Sequence, residues 1–152
     1  MSKRICIFLL PLCFFLSCDD SLVFPIEPEI EFVDIQPREI RQFTDPLTIT
    51  FRFTDGDGDL GDDGNDESDE NLIVVDNRTH FPDSLRTIAF TLPNLTPDTR
   101  RPSIQGTVTI TYPPTALTPG DTMEMIDYTI YVYDRAGHKS NEIVTAPITL
   151  RR

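Results

Sequence analysis

Tryptophan is absent from this chain, and its three cysteines, Cys6, Cys13 and Cys18, all fall within the first eighteen residues. From Asp19 onward there is no thiol, which excludes a disulfide framework and a cysteine-based metal site. A domain built from that part is indifferent to an oxidising compartment and is held together by burial alone. Positive charge is scarce too: 13 Lys and Arg face 25 Asp and Glu, a formal net charge of -12. Without Lys3 and Arg4 the balance becomes 11 against 25, or -14. A phosphate backbone needs a basic face, and Arg100, Arg101, Arg151 and Arg152 are too scattered to make one, so nucleic acid is not an expected partner. Catalytic signatures are also missing. The two histidines, His80 and His138, stand in no metal-ligating or nucleophile-activating spacing, and there is no Gly-x-Ser-x-Gly and no phosphate-cradling glycine loop. Among so many acids no carboxylate pair stands out for glycoside hydrolysis, and an enzyme is not expected.

Long apolar runs are absent apart from residues 5–16, about a dozen positions preceded by Lys3 and Arg4 and interrupted by Pro11. A bilayer-spanning helix needs about 20 apolar residues. The proportions are those of a secretory signal, with a basic start and a short greasy stretch. The run ends Phe15-Leu16-Ser17-Cys18, which resembles the lipobox of bacterial lipoproteins, with Phe15 where Leu is usual. The resemblance implies cleavage before Cys18 and lipid on that residue, through a diacylglyceryl thioether and an acylated amine. Several acyl chains anchor stably where one does not. The plainer alternative is a secreted protein with an incidental cysteine. Against it, Cys18 sits where the apolar run gives way to Asp19-Asp20-Ser21. Those acids resemble two sorting signals, one for inner-membrane retention in enteric-type bacteria and one for cell-surface export in Bacteroidota, the expected place being the outer membrane or cell surface.

The expected organisation is a signal peptide at 1–17, a lipidated cysteine and tether at 18–28, and one domain at 29–152. The tether contains Pro25 and Pro28 and shows no periodicity. From Glu29 the pattern has period two, and capped stretches of helical period are missing. Residues 29–35, 47–54, 71–75, 87–92, 106–112, 127–134 and 142–150 read as strands separated by segments rich in Pro, Asp, Gly and Asn. The clearest is 47–54, with Leu47, Ile49, Phe51 and Phe53 on one face and Thr48, Thr50, Arg52 and Thr54 on the other. About seven such strands predict an all-β fold, an immunoglobulin-like antiparallel β-sandwich. Phe51, Phe53, Phe90, Tyr128, Ile130 and Val132 are the expected filling. Pro147 lacks an amide donor, so the last strand is expected to be an edge or to break there.

The alternating aromatics of residues 127–134, the turn Asp134-Arg135-Ala136-Gly137 and the Ser140-Asn141 that follows resemble the final hairpin of bacterial immunoglobulin-like and fibronectin-like modules. With Pro28-Glu29-Ile30-Glu31-Phe32 and the Asp-Gly repeat after Phe53, the layout is similar to small lipoproteins of Bacteroidota over nearly the whole chain. That resemblance implies a fold and an envelope location, and brings no activity with it.

Residues 55–70 carry nine carboxylates in sixteen positions and no basic residue. Crowded like charges are either held apart in solvent or neutralised by a cation. Asp55, Asp57 and Asp59, at i, i+2 and i+4, resemble the opening of a calcium loop, and Asp63 and Asp66 fall at its ninth and twelfth positions. Leu60 stands where an EF-hand has Gly, and no helices flank the loop, so the expectation is a Ca²⁺-binding aspartate loop of a β-rich module, with a solvated acidic hairpin as the alternative. Asp83-Ser84-Leu85 and Asp121-Thr122-Met123, like Asp20-Ser21-Leu22, match the short pattern that resembles an O-glycosylation site of Bacteroidota exported proteins; plain turns are the alternative for Ser84 and Thr122. Taken together, the residues predict a non-enzymatic, membrane-anchored domain that presents a surface, either as a structural subunit of an envelope complex or as a protein-binding module, with the acidic loop and residues 113–125 as candidate contacts. The alternative is a glycan-binding accessory of a surface uptake system, for which outward Tyr131 and Tyr133 would form the platform.

Overall fold

The computed structural model describes residues 23–62, 64, 70–96 and 103–152. Cys18, Asp63, Asp66 and the Asp20-Ser21-Leu22 tripeptide lie outside the described residues.

Alternation of burial sets the elements. Strand β1 is Glu29–Gln36, β2 is Glu39–Arg41 and β3 is Leu47–Asp55. In β3 the side chains of Leu47, Ile49, Phe51, Phe53 and Asp55 are buried, while Thr48, Thr50, Arg52 and Thr54 face outward, as a strand with one wet face requires. Next come β4 (Leu72–Asp76), β5 (Thr87–Phe90), β6 (Ile104–Tyr112), β7 (Met123–Ile126), β8 (Tyr128–Val132), β9 (Ile143–Val144) and β10 (Ile148–Arg151). Between β4 and β5 lies a single turn of 3-10 helix, Asp83–Leu85.

These strands form three sheets, in the orders β1-β3-β6, β5-β4-β8-β9 and β2-β10-β7. All pairs are antiparallel except β2 with β10, which run parallel through Glu39↔Thr149, Ile40↔Leu150 and Arg41↔Arg151. The all-β expectation holds; the expected seven strands, wholly antiparallel, become ten among the described residues, with one parallel pair. The two unexpected strands, β2 and β7, each bury one side chain, Ile40 and Ile126, and a single inward residue leaves no alternation to read. The expected last strand is cut into β9 and β10 by Thr145, Ala146 and Pro147, consistent with the amide that proline lacks.

The sheets close over one apolar cluster. Tyr112 and Tyr128 stack within it with ring centroids 4.7 Å apart. Burial pushes the Tyr112 phenol up to about 12 and raises that of Tyr128 as well, so both remain neutral. Asn141, just ahead of β9, latches β1 to the last hairpin: its side chain accepts from the Ile30 amide at 2.8 Å and donates to the Ile30 carbonyl at 2.9 Å.

Three strands carry their buried series on to an aspartate. β3 ends at Asp55 and β4 at Asp76, and the inward phase of β8 (Tyr128, Ile130, Val132) continues to Asp134 just beyond it. All three carboxylates are buried. Because β4 and β8 are antiparallel, with Asp76 opposite Tyr128 and Leu72 opposite Val132, Asp76 and Asp134 lie at opposite ends of that sheet. Asp134 and the loop after Asp55 share one end, where Leu60 bridges to Asp134.

Candidate metal centre

An ionised carboxylate taken out of water must be paired, hydrogen-bonded or protonated. At the Asp76 end the chain supplies the partner. Arg78 meets Asp76 at 2.6 Å and Glu124 at 2.9 Å, donates to the Ala116 carbonyl at 2.8 Å, and stacks 3.9 Å over Phe81. The Arg78 and Thr118 hydrogen bonds outweigh burial at Glu124 and hold its carboxyl below the usual range.

The other end is built differently. The turn after β3 is made by Asp-Gly pairs, with Gly58 at φ 71 and Gly61 at φ 96, left-handed conformations that suit glycine. A side chain at Gly61 would strike the Pro93 carbonyl, where the Leu92 carbonyl accepts from the Asp62 amide at 2.8 Å. Leu60, the residue out of place for an EF-hand, is wholly buried in the core and pins the turn there. Arg135 grips the same turn through its backbone, donating at 2.8 Å to the Gly61 carbonyl and at 3.5 Å to that of Gly58.

This scaffold brings Asp55, Asp57 and Asp59 together, with one carboxylate oxygen of each within 4.8 Å of the others. Asp55 is fully buried and Asp59 is 4 % exposed. Asp55 Oδ2 accepts from the Leu60 amide at 2.9 Å, but Oδ1 of Asp55, of Asp57 and of Asp59 are buried without a hydrogen-bond partner. Among the described residues no Lys, Arg or His nitrogen forms an ion pair with any of the three. Burial, then the charges of Asp134, Asp57 and Asp55, push the Asp59 carboxyl up to about 6 against partial relief from Arg135. Burial raises Asp55 as well. Oxygens around a Ca²⁺ ion lie 2.3–2.6 Å from it, so two ligands on opposite sides stand about 4.6–5.2 Å apart. The triad's oxygens, all within 4.8 Å of one another, lie close enough together to share one such ion, and three carboxylates are a hard, oxygen-only donor set that a cation of this kind takes.

Asp62 is not one of the converging carboxylates and accepts from the Gly64 amide at 2.8 Å. Asp134 adds its charge to the site while its own oxygens take the amide and Nδ1 of His138, each at 2.8 Å; that hydrogen bond raises the His138 pKa. The histidine is thus a half-exposed turn residue. Asp134 and Arg135 escape sequence reasoning, although extending the β8 alternation by one step would have turned Asp134 inward. Tyr131 and Tyr133 lie half-buried on the outer face of β8 and just beyond it, edge to face at 5.7 Å, and Lys139 Nζ occupies the Tyr131 ring at 3.8 Å. Ser84 and Thr122 are both exposed. No protein-family model matches the chain, and neither does any curated protein or solved structure.

Proposed function

We propose that this chain is a lipid-anchored envelope protein whose immunoglobulin-like domain presents a surface to a protein partner without catalysing a reaction, and that a Ca²⁺ ion orders its acidic turn. One observation carries the ion: three carboxylates converge, each with a buried Oδ1 that has no hydrogen-bond partner, and no side-chain cation pairs them among the described residues, in a fold that gives buried Asp76 the partner Arg78. Sites of this type in extracellular modules bind at about 10⁻⁴ to 10⁻³ M, so the ion's role is structural. Support for a protein-facing surface comes from Phe43, held at φ 56 and 72 % exposed, and from Leu85, 59 % exposed. The segment after β6 is fixed behind them by Arg78 and by the Thr115 carbonyl, which accepts from the Phe43 amide at 2.9 Å. With Lys139 on Tyr131, a stacking platform for sugar is not what the outer face offers.

Two measurements test this reading. At 10 mM CaCl₂, saturation of such a site stabilises the fold by about 1.4–2.7 kcal/mol, a rise in Tm of roughly 4–10 °C. MgCl₂, which demands a tighter octahedron, gives less. An unchanged Tm at millimolar Ca²⁺ ends the ion reading. For the anchor, cells fed an alkynyl palmitate analogue incorporate it into the native protein and not into a Cys18→Ala variant; an unmarked native protein overturns the membrane attachment.

A further inference from the structure

Gly56 stands between the first two aspartates of the triad, and the segment entering β1 runs straight across it. A Cβ at this position would fall inside the van der Waals radii of the Phe24 and Pro25 carbonyl oxygens, so the two backbones touch only because the residue is glycine. Little else secures the segment. Val23 is 87 % exposed and Ile26 is 50 % exposed, and among the described residues no hydrogen bond or ion pair joins residues 23–28 to the rest of the chain. Firm attachment begins only at buried Pro28 and at Ile30, which Asn141 latches.

The turn the segment rests on carries carboxylates that, among the described residues, no side-chain cation pairs. Asp55 and Asp59 are each more than nine-tenths buried, each keeps a buried Oδ1 without a hydrogen-bond partner, and one carboxylate oxygen of each lies within 4.8 Å of the other's and of Asp57's. Without a cation these carboxylates repel one another, and they also repel the negative ends of the Phe24 and Pro25 carbonyl dipoles laid against the turn. A divalent ion relieves both effects. It ties Asp55 and Asp57 to one point, which fixes Gly56 between them, and by cancelling two of the three negative charges it weakens the repulsion felt by the carbonyl oxygens.

We infer that cation binding at Asp55, Asp57 and Asp59 clamps residues 23–27 onto the domain through Gly56, and that loss of the cation releases them. The inference rests on the cation reading above and adds a consequence: the ion sets the free length of the leash between domain and anchor. Five released residues lengthen an extended tether by about 15 Å.

The absence of tryptophan supplies the probe. In the full mature chain, Phe24→Trp and, separately, Ile26→Trp each give a single emitter on the segment. Acrylamide quenching is measured in EGTA and in 10 mM CaCl₂, with Ca²⁺ binding followed in parallel by calorimetry. The expected result is a quenching constant lowered about twofold or more by Ca²⁺ for both reporters, as a segment passes from solvated to docked. Adding Gly56→Ala abolishes the change while calorimetric binding persists, because the new methyl group blocks the segment and leaves the carboxylates in place. Binding with no change in quenching at either position overturns the clamp and leaves the ion reading standing. Absence of both binding and quenching change overturns the two together.

Discussion

Replacing Arg78 with Ala is expected to cost the domain about 3–5 kcal/mol, the loss typical of a buried ion pair with one member removed. The reason is what stays behind. Asp76 is wholly buried, and its carboxylate would face the core with the Arg78 backbone amide as its remaining close donor. The Ala116 carbonyl loses its donor, Glu124 is left with the Thr118 amide alone, and β7 loses its tie to the end of β4. Marginally stable domains hold about 5–15 kcal/mol in total, so denaturant melts should show a large fall in midpoint. The double variant Asp76→Ala with Arg78→Ala removes the orphaned charge along with its partner, and its loss should be smaller than the sum of the two single losses. Equal additive losses would show that Arg78 acts by packing on Phe81 and not by neutralising Asp76.

Asp59→Asn should move stability in the opposite direction. In the metal-free protein the Asp59 carboxyl is pushed up to about 6, chiefly by burial and then by neighbouring carboxylates. A folded-state value above the unfolded one means that the native chain binds the extra proton between about pH 4 and pH 6. The Asp59 contribution therefore favours folding below that window and is lost as pH rises through 6. At pH 7.5 in EGTA, removing the charge should stabilise the domain by about 2–3 kcal/mol and flatten the dependence between pH 4 and 6. In 10 mM CaCl₂ the ranking closes, because the native triad gains from the ion and the variant does not. Urea melts at the two pH values, with and without Ca²⁺, check all four corners. A variant less stable than the native chain in EGTA would mean that the Asp59 charge is already compensated.

How far the amino acids foretell this arrangement depends on how long each pattern runs. The alternation of four inward residues from Leu47 to Phe53 reads off as a strand, and one further step places Asp55 inward, which joins the apolar pattern to the acidic motif. Asp57 and Asp59 follow from their spacing alone. The legible part stops where a partner arrives from far along the chain. Arg135 reaches Gly61 across 74 positions, and Asp134 lies past the end of β8, so no local pattern links either to the Asp-Gly turn. Arg78 stands in the irregular stretch after β4, flanked by Asn77 and Thr79, and only the folded sheet shows that it faces Asp76 and Glu124. Phe43 reads as an ordinary apolar residue until its left-handed backbone turns the ring out to solvent.

The latch between Ile30 and Asn141 also has a temporal meaning. The first strand finds its side-chain partner 111 positions later, and Ile40 pairs with Leu150 in the third sheet. A core sealed by such distant segments closes slowly, because the loops must be drawn in before any contact rewards them. During synthesis, therefore, neither the Ile30 latch nor the pairing of Ile40 can form before Asn141 and Leu150 have been added, and a chain cut short of that point lacks the pieces that seal its core.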